Sequence, residues 1–170
     1  MRSIKLISII VVVFCIGFRI ILLSYQFYSV VVQNDIIDSS FRNGDFFDYL
    51  GYIEIPKFNI RRLIKDGTDN DVLDSLFVGL FELSHSIDSS DLIILAGHNV
   101  SNVFSCLHDL ISDDYIYIGY KGGVKKFIVY DKKVVSEYDD SYFYNRKNEL
   151  LLITCDKKGY RLLVFLKEDL

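Results

Sequence analysis

Apolar residues form one long run near the N-terminus of this chain and only short runs after it. The stretch from Leu6 to Phe18 contains no charged residue, and after Arg19 the apolar run resumes from Ile20 to Leu23. A membrane-spanning helix needs roughly 20 mostly apolar residues, and an arginine near one end can extend its side chain to the interface. Neither face of this stretch is polar, so the pattern predicts a membrane span rather than the helix of a soluble core.

The flanks of this stretch predict its orientation. Arg2 and Lys5 precede it and the first acid is Asp35, so the N-terminus is expected in the cytoplasm and the rest outside. The alternative is a cleaved signal peptide, but the bulky segment from Leu22 to Gln26 lacks the small residues of a cleavage site. We therefore expect a single-pass cell-membrane protein with an anchor at 1–24 and a stalk, helical or irregular, at 25–50.

From Gly51 onward the apolar segments are short and bounded by Gly, Asp or Lys, which is typical of β-strands. Strands are predicted at Tyr52–Ile55, Asn59–Ile64, Leu92–Ala96, Tyr115–Ile118, Val124–Tyr130 with Lys133–Val135, Leu150–Thr154 and Leu162–Leu166; 76–83 could be strand or loop. Short helices are predicted from a cap at Thr68 or Asp69 to Ser75, and over Val103–Ile111. Seven or eight strands with helices as interruptions predict a mainly β fold, a closed or nearly closed antiparallel barrel over 51–170.

Composition and charge narrow the classes of function. With 170 residues the chain has room for one domain with a sizeable core beside the anchor. The net charge is −4, and neither a basic face nor zinc-finger spacing occurs, so a nucleic-acid partner is not expected. His and Cys residues do not have the spacing of metal ligands, so no metal site is predicted.

The candidate chemistry lies at strand ends. Cys155 ends the apolar run Leu150–Thr154, and Arg161 opens the next predicted strand, close enough for a tight hairpin to set the two side by side. His98 follows the predicted strand Leu92–Ala96. A cysteine nucleophile needs a neighbouring base or cation, because a free thiol is mostly protonated at neutral pH. Most free cysteines are simply buried, but a strand end beside a loop is where catalytic groups tend to lie.

The other cysteines and histidines leave an alternative open. Cys15 falls in the predicted span, so a disulfide between Cys106 and Cys155 competes with a free reactive thiol at Cys155. His85 and His108 are predicted to be solvated and without a chemical role.

Several segments together resemble the sortase family, the membrane-anchored cysteine transpeptidases of Gram-positive bacteria and their relatives. They are Leu151-Leu-Ile-Thr-Cys155 with Arg161 on the next strand, Leu95-Ala-Gly-His-Asn-Val100, Tyr52-Ile-Glu-Ile-Pro56 and Asp66-Gly-Thr68. The resemblance extends from about Gly51 to the C-terminus. The chain differs from the family pattern at Leu150, where sortases often have Thr. Ser136–Asn148 is short, and the Asp-Pro-aromatic lid of pilus-polymerising sortases is lacking, so the class stays open.

The resemblance implies a sortase-like barrel and acyl transfer. Cys155, as thiolate, would attack a backbone carbonyl in an LPxTG-like motif near the C-terminus of an exported protein. His98 would protonate the leaving amine and later deprotonate the incoming one, and Arg161 would bind the substrate backbone and the oxyanion. The thioacyl intermediate would then pass to an amine of a cell-wall precursor.

Further roles follow from the same resemblance. The residues expected to bind substrate are Thr154, Ala96 and Asn99. No cofactor is expected. In some sortases acids bind calcium, and Glu137, Asp139 and Asp140 are candidates here, although a solvated charged turn is the more typical structure for such a segment.

Two other functions remain compatible with these residues. The first is a thiol hydrolase that uses the same groups with water as acceptor. The second is a non-catalytic, membrane-tethered binding barrel in which Cys155 belongs to the core.

Overall fold

The N-terminal helix extends beyond the predicted span. In the computed structural model, which describes residues 2–46, 48–84, 86–144 and 146–170 (only the backbone for 2–6 and 8), helix α1 runs from Arg2 to Asn43. It joins the predicted anchor and most of the predicted stalk in one helix about 60 Å long at 1.5 Å per residue. Its part from Ile9 onward is long and apolar enough to cross a membrane, and its most apolar window is not buried against the protein. An N-terminal helix of this kind fits a membrane anchor. His85 lies outside the described residues.

The last turns of α1 pack on the folded domain. Gln33 is buried, and its side chain accepts a hydrogen bond from the Leu63 backbone N–H (3.1 Å) and donates one to the Leu76 carbonyl (3.3 Å). Ile37 is fully buried in a cluster with Tyr52 and Leu63. The segment expected to be a separate stalk is therefore in part a docked helix, because its apolar and amide side chains cover one side of the barrel.

The predicted mainly β, closed barrel is confirmed. Within the described residues its strands are β1 Gly51–Ile55, β2 Ile60–Asp66, β3 Val78–Leu80, β4 Ile93–Ala96, β5 Tyr115–Tyr120, β6 Gly123–Ser136, β7 Glu149–Cys155 and β8 Tyr160–Glu168. They close in the order β1-β2-β3-β4-β7-β8-β6-β5. The pairing differs from an all-antiparallel barrel, since β2 with β3 and β4 with β7 are parallel. Long connections between these partners allow the chain to return in the same direction.

The short helical segments are partly as predicted. Helix α2, Asn70–Leu73, begins at Asp69, whose carboxylate accepts a hydrogen bond from the Val72 N–H at 3.0 Å. The helix expected over 103–111 is instead a 3₁₀ segment, Ser105–Asp109. The ambiguous stretch 76–83 contains β3, and β6 is one strand with an irregularity between Val129 and Asp131.

Alternation along the strands separates two apolar clusters. The inner faces fill the barrel with residues such as Leu95, Leu152 and Val164. The outer faces of β4, β7 and β8 form a second cluster, with Ile94, Leu151, Ile153, Leu163 and Phe165, over which Phe81, Tyr142 and Phe143 pack. This outer cluster leads to the edge where the candidate residues lie.

Arg62 is an exception to the apolar interior. On β2 it lies on the same face as Ile60 and Ile64, which belong to the inner core, and only 1% of its surface is exposed. Its guanidinium donates to the Arg61 carbonyl, while Nε has no hydrogen-bond partner. Burial lowers the pKa of Arg62 to about 10. Because the group is still charged at pH 7, the folded state carries the cost of a poorly compensated buried cation.

Replacing Arg62 by leucine is therefore expected to stabilise the protein. Removing the buried charge should raise the free energy of unfolding at pH 7 by on the order of 1 kcal/mol, measured by denaturant titration of the full chain in detergent. The matched control is Arg61→Leu on the outer face, which removes the 2.9 Å ion pair with Asp38 and should give no gain. A loss of stability in Arg62→Leu would show that the guanidinium is compensated.

Candidate active site

Three strands bring the predicted catalytic residues to one edge of the barrel. The parallel strands β4 and β7 run side by side, with Ala96 opposite Ile153, so the chain segments that follow them meet. Cys155 is the last residue of β7 and pairs with Arg161 on β8. The residues that line the resulting cleft of about 180 Å³ are Thr68, Leu73, Phe81, Ala96, Gly97, His98, Ile153, Thr154, Cys155 and Arg161. The structure thus places His98, Cys155 and Arg161 around a single cleft.

The cysteines differ in exposure. Cys15 and Cys155 are exposed, Cys106 is buried, and all three are free, so the alternative of a disulfide between Cys106 and Cys155 is wrong. Burial raises the pKa of the Cys106 thiol to about 11, which keeps that thiol protonated at neutral pH. The exposed thiol of Cys155 is therefore the accessible one in the barrel.

The His98 imidazole has an acidic partner that the sequence did not indicate. His98 Nε2 lies 3.0 Å from Asp74 Oδ1. Asp74 directly follows α2, in the connection between β2 and β3. No motif links two residues 24 positions apart, so this contact could be found only from the fold.

Polar contacts hold the His98 loop against the end of β7. The buried Thr154 hydroxyl donates a hydrogen bond to the Gly97 carbonyl at 2.8 Å, and the Asn99 amide donates one to the Cys155 carbonyl at 2.7 Å. A Cβ at Gly97 would lie 2.7 Å from the Phe104 ring, so this close approach requires glycine. Thr154 and Asn99 are thus engaged within the protein, and Ala96 lines the cleft; their binding of substrate stays a prediction.

A second histidine lies beside the site. His108 is exposed, as predicted, but its Nε2 is 3.4 Å from the Asn99 side-chain nitrogen. Its Nδ1 is 3.8 Å from a carboxylate oxygen of Asp156. Because Asp156 directly follows Cys155, the sequence alone indicates that it lies near the site. The sequence does not indicate this for His108, because its position depends on the 3₁₀ turn after the His98 loop.

The candidate calcium ligands are acids of an exposed turn. Asp139 accepts hydrogen bonds from Ser141, from the hydroxyl at 2.6 Å and from the backbone N–H at 3.1 Å. Within the part of the chain that the structure describes, no three His, Cys, Asp or Glu side chains gather as a metal would require. Asp139 thus makes the local hydrogen bonds of a charged turn, the structure expected for this segment in preference to a calcium site.

Comparison with known proteins gives a family match for this barrel. A family model described as Sortase domain matches residues 53–169. Sortase D of Bacillus subtilis (strain 168) is 33% identical over 112 residues, which cover 65% of this chain and 56% of that protein.

Solved structures share the fold. Sortase C1 of GBS pilus island 1 superposes with a TM-score of 0.67 at 24% identity, covering 71% of this chain and 64% of that one. Sortase C-1 from Actinomyces oris gives a TM-score of 0.66 at 25% identity, covering 71% of this chain and 74% of that one. The chain spans little more than half the length of the Bacillus relative.

The difference between the two barrel thiols predicts selective modification. In the full chain carrying Cys15→Ser, iodoacetamide at pH 7 should modify Cys155 and leave Cys106 intact, as read by peptide mass spectrometry. Modification of Cys106 should increase only as the pH rises towards about 11, where half of its thiol is ionised. The control Cys155→Ala should show no modification at pH 7. Failure of Cys155 to react in the folded protein would contradict its role as nucleophile.

The hydrogen bond between Thr154 and Gly97 predicts a measurable loss of stability when the Thr154 hydroxyl is removed. Thr154→Val keeps the shape of the side chain but leaves the Gly97 carbonyl without its hydroxyl partner. We expect a loss of about 1–3 kcal/mol in the free energy of unfolding. Thr154→Ser retains the hydroxyl and should lose less. Equal stability of Thr154→Val and the parent chain would show that this hydrogen bond does not hold the loop.

Proposed function

This chain belongs to the sortase family, and we propose that it is a cysteine transpeptidase that acts on exported proteins. It would cleave an LPxTG-like sorting motif near the C-terminus of such a protein through a thioacyl intermediate. The acyl group would then be joined to an amine of a cell-wall precursor. The observation that carries the proposal is the single cleft lined by an exposed thiol, an imidazole and a guanidinium.

The first half-reaction would form the thioester. The Cys155 thiolate attacks the carbonyl carbon of the scissile peptide bond, and negative charge develops on the carbonyl oxygen. Arg161, which pairs with Cys155 on the adjacent strand, donates hydrogen bonds to that oxygen and to the substrate backbone. As the carbon–nitrogen bond breaks, the His98 imidazolium gives its proton to the leaving amine.

The second half-reaction would reverse the proton flow. An incoming amine attacks the thioester carbonyl, and neutral His98 takes the proton that the amine loses. The carbon–sulfur bond then breaks and Cys155 leaves as a thiolate, which is a better leaving group than an amine. The products are a new amide bond and the enzyme in its starting charge state.

The surroundings of the cleft suit an extended peptide. Its walls include the side chains of Phe81, Ala96 and Ile153, which offer apolar contact to a motif with a large aliphatic residue. Thr154 would act on the substrate by fixing the Gly97–His98 backbone, and Asn99 by fixing the carbonyl of Cys155. Both would position the groups around the substrate in this way, in addition to the substrate binding predicted for them.

The proposed location is the outer side of a cell membrane. Helix α1 would span the bilayer through its apolar stretch, with Arg2 and Lys5 on the cytoplasmic side. The barrel follows the helix and would lie outside, where exported proteins and cell-wall precursors meet. No nucleic acid and no cofactor are part of this proposal.

The two alternatives have different support. Hydrolysis on the same residues is favoured by the exposure of Cys155, since water can also reach a thioester there. The non-catalytic barrel requires Cys155 to belong to the core, and the exposure of that residue argues against it. The choice therefore lies between two acceptors, an amine and water.

Product analysis separates these acceptors. The full chain in detergent, given a panel of sorting-motif peptides and a small amine nucleophile, should yield ligated peptide by mass spectrometry. Cys155→Ala should yield none, and Arg161→Lys should lower the rate roughly 10²-fold or more through weaker oxyanion stabilisation. Circular dichroism of each variant controls for folding. Hydrolysed product alone, whether or not the amine is present, would favour the hydrolase and contradict the transpeptidase.

A further inference from the structure

Asp74 is an acidic residue outside the three predicted catalytic groups that contacts one of them. Its Oδ1 lies 3.0 Å from His98 Nε2, at hydrogen-bond distance. Two other polar contacts near the site join the His98 loop to β7, one from the Asn99 side chain to the Cys155 carbonyl and one from the Thr154 hydroxyl to the Gly97 carbonyl. Among the described residues, Asp74 is the acid that pairs with the His98 ring.

We propose that Asp74 is a positioning residue that fixes the tautomer and orientation of the His98 imidazole. Its carboxylate accepts the hydrogen of Nε2, which leaves Nδ1 as the nitrogen that exchanges protons in the cleft. This inference rests on the proposed role of His98 in acyl transfer.

The local structure holds Asp74 in place for this role. Asp69 caps the start of α2. At the end of the helix, the Asp74 N–H donates a hydrogen bond to the Asn70 carbonyl. Val72 is buried, and Leu73 lines the same cleft as His98. The helix is thus anchored on both sides, and the residue after it faces the imidazole.

The proton balance assigns a task to each ring nitrogen. In neutral His98 the Nε2–H donates a hydrogen bond to the Asp74 carboxylate. The Nδ1 lone pair takes the proton of the Cys155 thiol. The result is a thiolate and an imidazolium with hydrogens on both nitrogens. When the substrate carbon–nitrogen bond breaks, the Nδ1 hydrogen moves to the leaving amine, and the Nε2 hydrogen stays on the ring, bonded to Asp74.

The exposure of the pair limits the size of the effect. The side chains of His98 and Asp74 are 38% and 71% exposed. Exposed ion pairs contribute about 0.2–1 kcal/mol, so loss of Asp74 should slow thiolate-dependent steps by about 1.4- to 5-fold. The same exposure makes the contribution sensitive to salt, since mobile ions screen exposed charges.

Nuclear magnetic resonance of the histidine side chains tests the tautomer directly. In the full chain in detergent micelles, labelled with ¹⁵N-histidine and assigned with His98→Gln, the neutral His98 ring should carry its hydrogen on Nε2. Asp74→Ala should shift population to the Nδ1–H form, and Asp74→Glu should restore the parent signature. The matched control is Asp71→Ala, an exposed acid of the same short helix, which should leave the His98 signals unchanged.

The rate of Cys155 alkylation provides a second readout without a peptide substrate. At pH 7 and low salt, iodoacetamide should react about 1.4- to 5-fold more slowly with Asp74→Ala than with the parent chain. Asp71→Ala should react at the parent rate, and high salt should narrow the difference between Asp74→Ala and the parent.

The outcomes separate this proposal from the proposed function. An unchanged His98 tautomer in Asp74→Ala would overturn the positioning role, even if alkylation slowed. A tautomer shift in a chain that ligates no peptide would support the positioning role while contradicting the transpeptidase. Equal effects of Asp71→Ala and Asp74→Ala would assign both to general charge and overturn the specific contact.

Discussion

The parallel pairing of β4 with β7 is the constraint on which the site depends. Two adjacent strands that run in the same direction end at the same edge of the barrel. Here β4 ends at Ala96, directly before Gly97 and His98, and β7 ends at Cys155. An antiparallel pairing would send the His98 loop to the opposite end of the barrel. The hairpin between β7 and β8 then needs only its own short turn to place Arg161 beside the cysteine.

Alternation along β7 adds a second condition. Thr154 points inward and is buried, while Cys155 points outward and is exposed. The two neighbouring residues therefore have different roles. The inward hydroxyl bonds the Gly97 carbonyl and fixes the loop that carries His98. The outward thiol stays accessible in the cleft. A shift of register by one residue would turn Thr154 outward and Cys155 inward. It would remove both the hydrogen bond to the Gly97 carbonyl and the accessible thiol.

The sequence predicted those features that depend on local pattern. The ends of apolar runs marked Cys155 and His98, and the run lengths predicted a closed barrel of short strands. The parallel pairs escaped prediction, since strand direction follows from how distant segments pack. Asp74 was missed for the same reason, and Arg62 because an arginine within a strand normally faces water. The length of α1 was underestimated because polar residues after Leu23 interrupt the apolar run without ending the helix.

The continuity of α1 relates the barrel to the membrane. Gln33 and Ile37 fix the helix to β2 and its neighbours, so the helix is not a free tether. With Leu6–Leu23 in the bilayer, as we propose, the ten residues from Leu23 to Gln33 span about 15 Å at 1.5 Å per residue. The barrel would then sit close to the surface, at a height set by a helix rather than by a flexible linker. Such a geometry favours substrates and acceptors that are themselves held at the membrane, because both can reach one cleft without leaving it.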